Sequence, residues 1–483
     1  MKKLTLLLLT AAIVAVFTLP IAACKKDNSA LCNYEIIAEY DGQKTVSAVM
    51  NFTYYNDCEN EISDLKFNLY ANAYRQNARQ KPISQTYLDK AFYNGESFGK
   101  IEILSVDNCS SWQVCGSDEN VLLVSLLTPI YPENTVKISV KYTLELAQVN
   151  HRTGVTERAV NLGNFYPVLC HYEKSGFYEC EYYSCGDPFV SDCANYTVQL
   201  TVPKSYVIAS SGNLVKSNES GEKLVCEYEL KRARDFAAVL SQNFKTESAT
   251  LGDCTVTYYY YDDANPQMKL NAAVQSLQYF SDVFGKYVYP TLSVVQTGFC
   301  YAGMEYPALC MISDKLKNDD AIYTIVHENA HQWWYAMVGN DQINSAWQDE
   351  GLAEYSTLLF FENAPEYGFT KTAILGNAIK NYRAYFTVYK QIFGDANTQM
   401  TRSLTDFTSE YEYVNICYNK GLIAFDTIKN SLGEEKFFKA LKHYYSNGLY
   451  KTAKPEDLIA CFCGDDSDLE GLIRAFLDGK III

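Results

Sequence analysis

The spacing of apolar residues changes near residue 265, and this change constrains the fold more than any other feature of the chain. From about residue 34 to 260, apolar and polar residues alternate in short runs, as in NTVKISVKYTLEL at 134–146 and NYTVQLTVP at 195–203. Strict alternation indicates strands with one buried face and one wet face. Beyond residue 265, apolar residues recur at helical spacing. The sequence therefore predicts an α+β multidomain chain, with an N-terminal antiparallel β-sandwich or saddle-like sheet followed by a mostly α domain.

The length of 483 residues is too great for one compact core and indicates two or three domains. The predicted segments are a signal peptide at 1–23, a β domain at 24–250, a mostly α domain at 251–450 and a short helical tail at 451–483. A buried strand is expected at 292–296. Helices are predicted at 265–285, 320–338, 349–362, 367–392, 415–431 and 434–446.

The N-terminus has the layout of an export signal. Lys2 and Lys3 precede an apolar run that ends in Ile-Ala-Ala-Cys, and this ending resembles the bacterial lipobox. That motif implies cleavage before Cys24 and lipidation of its sulfur. An ordinary cleaved signal peptide and an uncleaved anchor are alternatives, because the apolar run from residue 4 to 23 is about 20 residues, enough to span a bilayer. Under each of these three interpretations the rest of the chain is exported. We expect the protein to be lipid-anchored at the outer face of the cell membrane or in the cell envelope.

The charge of the chain limits its partners. The formal net charge is −16, and no basic cluster is evident. An acidic chain of this kind is not expected to bind nucleic acid.

Two of the five histidines lie four residues apart, in the stretch HENAHQWW that begins at His327. On a helix, His327 and His331 share one face, with Cβ atoms about 5–6 Å apart, so both imidazoles can reach one Zn²⁺. Glu328 lies about 100° around the helix from His327, where a general base borders the metal without binding it. A catalytic zinc also needs a third protein ligand and an open fourth position.

The spacing from the histidine pair to the next glutamate-containing helix resembles that of a known family. Glu350 follows His331 by 19 residues, within WQDEGLAEY. The pattern H-E-x-x-H, 18 residues, then E resembles the gluzincins, and within them the M1 family of zinc aminopeptidases. The resemblance implies that His327, His331 and Glu350 bind one Zn²⁺, that Glu328 is the base, and that the α domain is thermolysin-like. Glu354, one turn beyond Glu350, could accept the outer N–H of a zinc-bound histidine.

Two further segments match this family. AGMEYPALCMI at 302–312 resembles the G-x-M-E-N strand in its bacterial G-M-E-Y-P variant, which implies that Glu305 binds the substrate's free amino group. NICYNKG at 415–421 resembles the Y-x-K-G segment, which implies that Tyr418 stabilises the oxyanion. The family's second amine-binding residue corresponds best to Tyr166 in NFYP, so amine recognition by two acids is in doubt. We expect the long helical C-terminal domain of larger members to be absent.

The predicted function is removal of N-terminal residues from peptides by attack of metal-activated water. The expected partners are peptides with a free N-terminus and, through the lipid anchor, a membrane. Two alternatives remain open. One is a zinc endopeptidase of the same fold, and the other is an inactive envelope lipoprotein that only binds peptides.

Overall fold

The structure is a computed structural model, and it describes Leu31–Ile483. The predicted signal peptide at 1–23 and the lipidation site Cys24 lie outside the described residues. Among the helices of Leu31–Ile483, none combines the length and the apolar character that a membrane span requires. The predicted boundaries at residues 250 and 450 stay predictions.

The first half of the described chain is built from strands. The alternation in 134–146 places Ile138, Val140, Tyr142 and Leu144 in the core, each at most 1% exposed, while the residues between them face outward. Besides the short helix α1 (Leu88–Ala91), this half contains β1 (Asn33–Tyr40), β2 (Thr45–Tyr55), β3 (Ile62–Asn68), β4 (Lys100–Asp107), β5 (Cys109–Cys115), β6 (Val121–Ile130), β7 (Thr135–Glu145), β8 (Thr153–Val155), β9 (Val160–Leu162), β10 (Val168–Leu169), β11 (Tyr172–Glu173), β12 (Gly176–Phe177), β13 (Ala194–Pro203), β14 (Val207–Ser210), β15 (Asn213–Ser220), β16 (Lys223–Ala233) and β17 (Ala238–Ser241).

These strands form one large sheet and smaller ones. The large sheet has the order β15-β16-β13-β1-β2-β7-β4, and two four-stranded sheets have the orders β10-β3-β6-β5 and β14-β17-β9-β8. Nearly all pairings are antiparallel, as predicted. The exception is β1 with β13, which run parallel from Asn33 opposite Asn195 to Glu39 opposite Thr201. The parallel pair is possible because more than 150 residues of chain separate the two strands and can make the crossover.

The second half is mostly helical, and it packs its helices against one mixed sheet with the order β18-β19-β20-β22-β21. The N-terminal β-rich part followed by a helical part confirms the predicted fold class. Its elements are β18 (Lys245–Leu251), β19 (Cys254–Tyr260), α2 (Pro266–Val283), β20 (Thr291–Thr297), β21 (Gly303–Tyr306), β22 (Leu309–Ser313), α3 (Asn318–Ala330), α4 (Ala346–Asn363), α5 (Lys371–Phe393), α6 (Glu410–Val414), a π-helix (Asn415–Asn419), α7 (Lys420–Leu432), α8 (Glu434–Gly448), α9 (Pro455–Cys463) and α10 (Ser467–Leu477).

One predicted helix is too long. The sequence predicts a helix over 320–338, but α3 begins at Asn318 and ends at Ala330. Beyond it, the backbone N–H of Ala336 donates to the carbonyl of His331, five residues back, so the chain leaves the α-helical path. Trp333 and Trp334, just after the helix, are both at most 1% exposed. Because both side chains are buried in the core, this turn is apolar, and its sequence resembles that of a continuing helix.

Candidate active site

The two motif histidines lie at the C-terminal end of α3. This helix packs between α2 and α4 and against β21 and β22, so its last turns are buried. His327 is 8% exposed and His331 is 1% exposed. The Nδ1 atom of His331 lies 3.0 Å from the carbonyl oxygen of Trp334, to which it donates when Nδ1 carries the proton. This contact leaves Nε2 of His331 free to bind a metal.

Glu350 on α4 completes a triangle of donor atoms with the histidines. The Nε2 atoms of His327 and His331 are 3.1 Å apart. Oε2 of Glu350 lies 3.2 Å from Nε2 of His331 and 3.5 Å from Nε2 of His327. Because Zn–N and Zn–O bonds are about 2.0–2.2 Å, a tetrahedral ion separates its ligands by about 3.3 Å. The three predicted ligands therefore fit a zinc ion in number, chemistry and spacing.

Glu354, one turn further along α4, contacts the same histidine from the other side. Its Oε2 lies 2.9 Å from Nδ1 of His327, and its Oε1 accepts from the Tyr323 hydroxyl at 2.6 Å. Burial lowers the pKa of His327, but its contacts with Glu350 and Glu354 raise the pKa to about 10. Zinc needs the neutral imidazole, so metal binding releases this proton and weakens as the pH falls.

Glu328 lies beside the triangle without belonging to it. A Cβ atom on Gly303 would come within 2.2 Å of Oε1 of Glu328, so glycine at this position makes room for the carboxylate. Burial raises the pKa of Glu328 to about 7, although the charges of His327 and His331 act in the opposite direction. A buried carboxylate whose pKa lies near neutrality can accept a proton and return it, as a general base requires.

Glu305 on β21 lies at the inner end of the site. One oxygen of its carboxylate lies within 4.8 Å of ligand atoms of both Glu328 and His331. Its Oε1 accepts a hydrogen bond from Gln342 at 3.0 Å, and the residue is 4% exposed. Burial, and next the charge of Asp187, raise the pKa of Glu305 well above its ordinary value. A cation placed here would relieve both effects.

Tyr418 reaches the site from the π-helix. Its hydroxyl donates to Oε1 of Glu350 at 2.5 Å, and its ring stacks on His327 with 5.7 Å between centroids. Tyr413, which the sequence did not single out, donates to the same oxygen at 3.2 Å. Glu350 thus turns one oxygen to the imidazoles and the other to the tyrosines. Lys420 fixes the segment by donating to the carbonyls of Thr398 and Phe476.

A cavity of about 810 Å³ lies beside the triangle. His327, Glu328 and Tyr418 line it, and so do Asp187 and Arg152 from the β-rich half. The guanidinium of Arg152 pairs with the carboxylate of Asp187. Sequence reasoning missed both residues, and the only signal was that Asp187 directly precedes a proline.

Tyr166 does not belong to this cavity. It is fully buried, and its hydroxyl donates to Oδ1 of Asp235 at 2.6 Å. The sequence placed Tyr166 at the second amine-binding position, whereas Asp187 is the acid of the β-rich half that lines the cavity and whose charge acts on Glu305.

Comparison with known proteins identifies the family of the helical half. Residues 268–475 match the peptidase family M1 domain. This part of the chain belongs to peptidase family M1. Among M1 relatives, aminopeptidase M1-B of Oryza sativa subsp. japonica is 27% identical over 288 residues, covering 55% of this chain and 32% of that protein. Endoplasmic reticulum aminopeptidase 2 of Bos taurus is 26% identical over 289 residues, covering 55% and 29%. The chain thus spans about a third of the length of these curated relatives.

A solved M1 structure matches nearly the whole chain. The crystal structure of the M1 zinc metallopeptidase from Deinococcus radiodurans covers 94% of both chains with a TM-score of 0.66 and 16% sequence identity. At this identity the likeness shows the fold. The predicted M1 resemblance is confirmed, and the β-rich half belongs to the same two-part architecture.

Proposed function

We propose that this protein is a zinc-dependent aminopeptidase that removes N-terminal residues from peptides. The observation that carries the proposal is the buried triangle of His327, His331 and Glu350, with donor atoms 3.1–3.5 Å apart. His327 also lines a large cavity. The M1 domain match and the relatives named as aminopeptidases support the proposal.

The residues around the triangle have distinct roles in the reaction. When bound, zinc supplies Lewis acidity and acidifies water. Glu328 takes a proton from the attacking water and later delivers it to the leaving amine. The Tyr418 hydroxyl donates a hydrogen bond to the scissile carbonyl oxygen as negative charge develops on it. Because Tyr418 donates to Glu350 in the structure, its hydroxyl has to turn from that carboxylate towards the substrate.

Recognition of the free N-terminus is assigned to Glu305. An ammonium group loses its hydration in a buried site and needs a charged acceptor. Glu305 is buried beside Glu328 and His331, so an amine held there places the first peptide bond next to the triangle. Asp187 adds negative charge nearby, but Arg152 already pairs with its carboxylate.

A peptide with a blocked N-terminus tests this function. Glu305→Ala should lower kcat/KM for a free-amine peptide. The ratio of the two kcat/KM values should correspond to about 2–4 kcal/mol of lost transition-state stabilisation, the cost of a charged hydrogen-bond partner left unpaired. An N-acetylated peptide of the same sequence has no ammonium group, so it should be a poor substrate that the substitution barely affects. The measurement is kcat/KM for both peptides on both zinc-loaded enzymes. If the native enzyme cuts the blocked peptide as fast as the free one, it is an endopeptidase. Zinc binding without cleavage of either peptide would identify a peptide-binding protein.

We also propose that the protein is exported and anchored by a lipid on Cys24. The lipobox-like ending Ile-Ala-Ala-Cys after the apolar run supports this. In a bacterial host, the native protein should become labelled when the cells are fed radiolabelled fatty acid. Only detergent should release it from the membrane fraction. Cys24→Ser should carry no label. Equal labelling of both forms would rule out Cys24 as the attachment site.

A further inference from the structure

Carboxylates dominate the charged lining of the cavity. Half of them contact a basic side chain: Arg152 pairs with Asp187, and Nζ of Lys315 lies 3.2 Å from Oε1 of Glu157. Glu354 contacts His327, as described above. The lining acids are Asp89, Glu157, Asp187, Glu328, Glu354 and Glu410.

Glu410, the first residue of α6, is a cavity acid that has no role in the proposed mechanism. Its Oε2 is buried and has no hydrogen-bond partner among the described residues. Burial raises the pKa of Glu410 to about 7, although contact with Cys185 and the charge of Arg152 act to lower it. Because a buried acceptor without a donor is unfavourable, this oxygen is suited to a ligand that brings one.

Arg152 does not supply that donor, although it lines the same cavity. Its guanidinium nitrogens donate to the Tyr182 hydroxyl at 3.2 Å, to the Gly186 carbonyl at 3.3 Å and to Asp187. Nε of Arg152 contacts the sulfur of Met304 at 3.1 Å. With these groups engaged, the positive charge of Arg152 is held at Asp187.

The position of Glu410 relates it to the first residue of a substrate. Glu410 lies one helical turn before Tyr413, and both side chains line the cavity. Tyr413 donates to the zinc-ligand candidate Glu350, and Asp187 lines the same cavity. The amine and the side chain of an N-terminal residue leave the same Cα atom. Gly303, two residues before Glu305 on β21, lines the same cavity as Asp187 and Glu410, so a side chain whose amine is held at Glu305 can extend into this cavity.

We propose that Glu410 binds the cationic side chain of an N-terminal arginine or lysine, so that the enzyme prefers peptides with a basic first residue. This inference rests on the proposed aminopeptidase function and deepens it. A guanidinium presents paired N–H donors to a carboxylate and forms a strong charge-assisted contact there.

The test compares substrates that differ in charge but hardly in shape. Citrulline replaces the guanidinium of arginine with a neutral urea group, so fluorogenic amides of arginine and citrulline isolate the charge. The native enzyme should favour arginine in kcat/KM by about 10- to 100-fold, the scale of one charged hydrogen bond. Glu410→Gln should bring the ratio close to one. A ratio measured on one preparation does not depend on how much of the protein is folded or zinc-loaded.

Glu157→Gln is the matched control, because it removes a cavity carboxylate that Lys315 already neutralises. Its arginine-to-citrulline ratio should stay at the native value. A native ratio near one, or a Glu410→Gln ratio equal to the native one, would overturn the inference while leaving the aminopeptidase function intact. Absence of turnover with every free-amine substrate would instead overturn the proposed function on which it rests.

Discussion

Glu328→Gln is expected to keep its zinc and to lose about 10²–10⁴-fold in kcat, the scale of a lost general base. Glutamine has the shape of glutamate, so it fits the space that Gly303 leaves open. It cannot accept a proton from water at any ordinary pH. Zinc should stay because Glu328 lies outside the triangle that His327, His331 and Glu350 form.

The measurement is bound zinc per chain together with kcat on a free-amine peptide. Glu354→Gln is the matched control, because it changes another cavity acid, one that contacts the predicted ligand His327. It should show the opposite behaviour, with zinc affinity lower by about 10–100-fold and most activity restored at saturating zinc. Near-normal turnover by zinc-loaded Glu328→Gln would mean that another group accepts the proton.

Local spacing accounts for what the sequence could predict about the site. His327 and His331 share a helix face because they are four residues apart, and this follows from helix geometry alone. The alternation in the first half predicts the strands for an equally local reason, since one face of each strand is buried. Glu350 lies on the next helix, and only the resemblance to a family with the same spacing connected it to the histidines.

The residues that the sequence missed are brought in by long-range packing. Asp187 and Arg152 belong to the β-rich half and meet the helical half only in the folded chain. Tyr413 lies five residues before Tyr418, a spacing that places two side chains on different sides of an α-helix. The π-helix at Asn415–Asn419 widens the turn, so both hydroxyls reach the same oxygen of Glu350.

The end of α3 shows a different limit. An apolar run that includes Trp333 and Trp334 predicts a continuing helix, yet the same run suits any backbone that is buried on all sides. Periodicity cannot separate the two cases. The early end of the helix at Ala330 matters for the site, because it brings the Trp334 carbonyl to Nδ1 of His331.

His327→Ala and Glu350→Gln are expected to lose most of the bound zinc, and with it essentially all peptidase activity. Three protein ligands are the usual number for a catalytic zinc site, so each substitution leaves a site with too few strong donors. Zinc binding to the native fold should also raise its melting temperature, since a ligand that binds only the folded state stabilises it. In both variants this zinc-dependent shift should largely disappear.

Tyr418→Phe is the matched control for these two variants. It removes a hydroxyl that donates to Glu350 at 2.5 Å, but it leaves all three donor atoms in place. It should therefore retain zinc and the zinc-dependent shift in melting temperature while losing about 10²–10³-fold in kcat, the scale of one transition-state hydrogen bond. Zinc content by atomic absorption and melting curves with and without zinc separate the cases. Full zinc occupancy in both His327→Ala and Glu350→Gln would refute the ligand assignment, because a site that has lost one of its three protein ligands binds zinc more weakly.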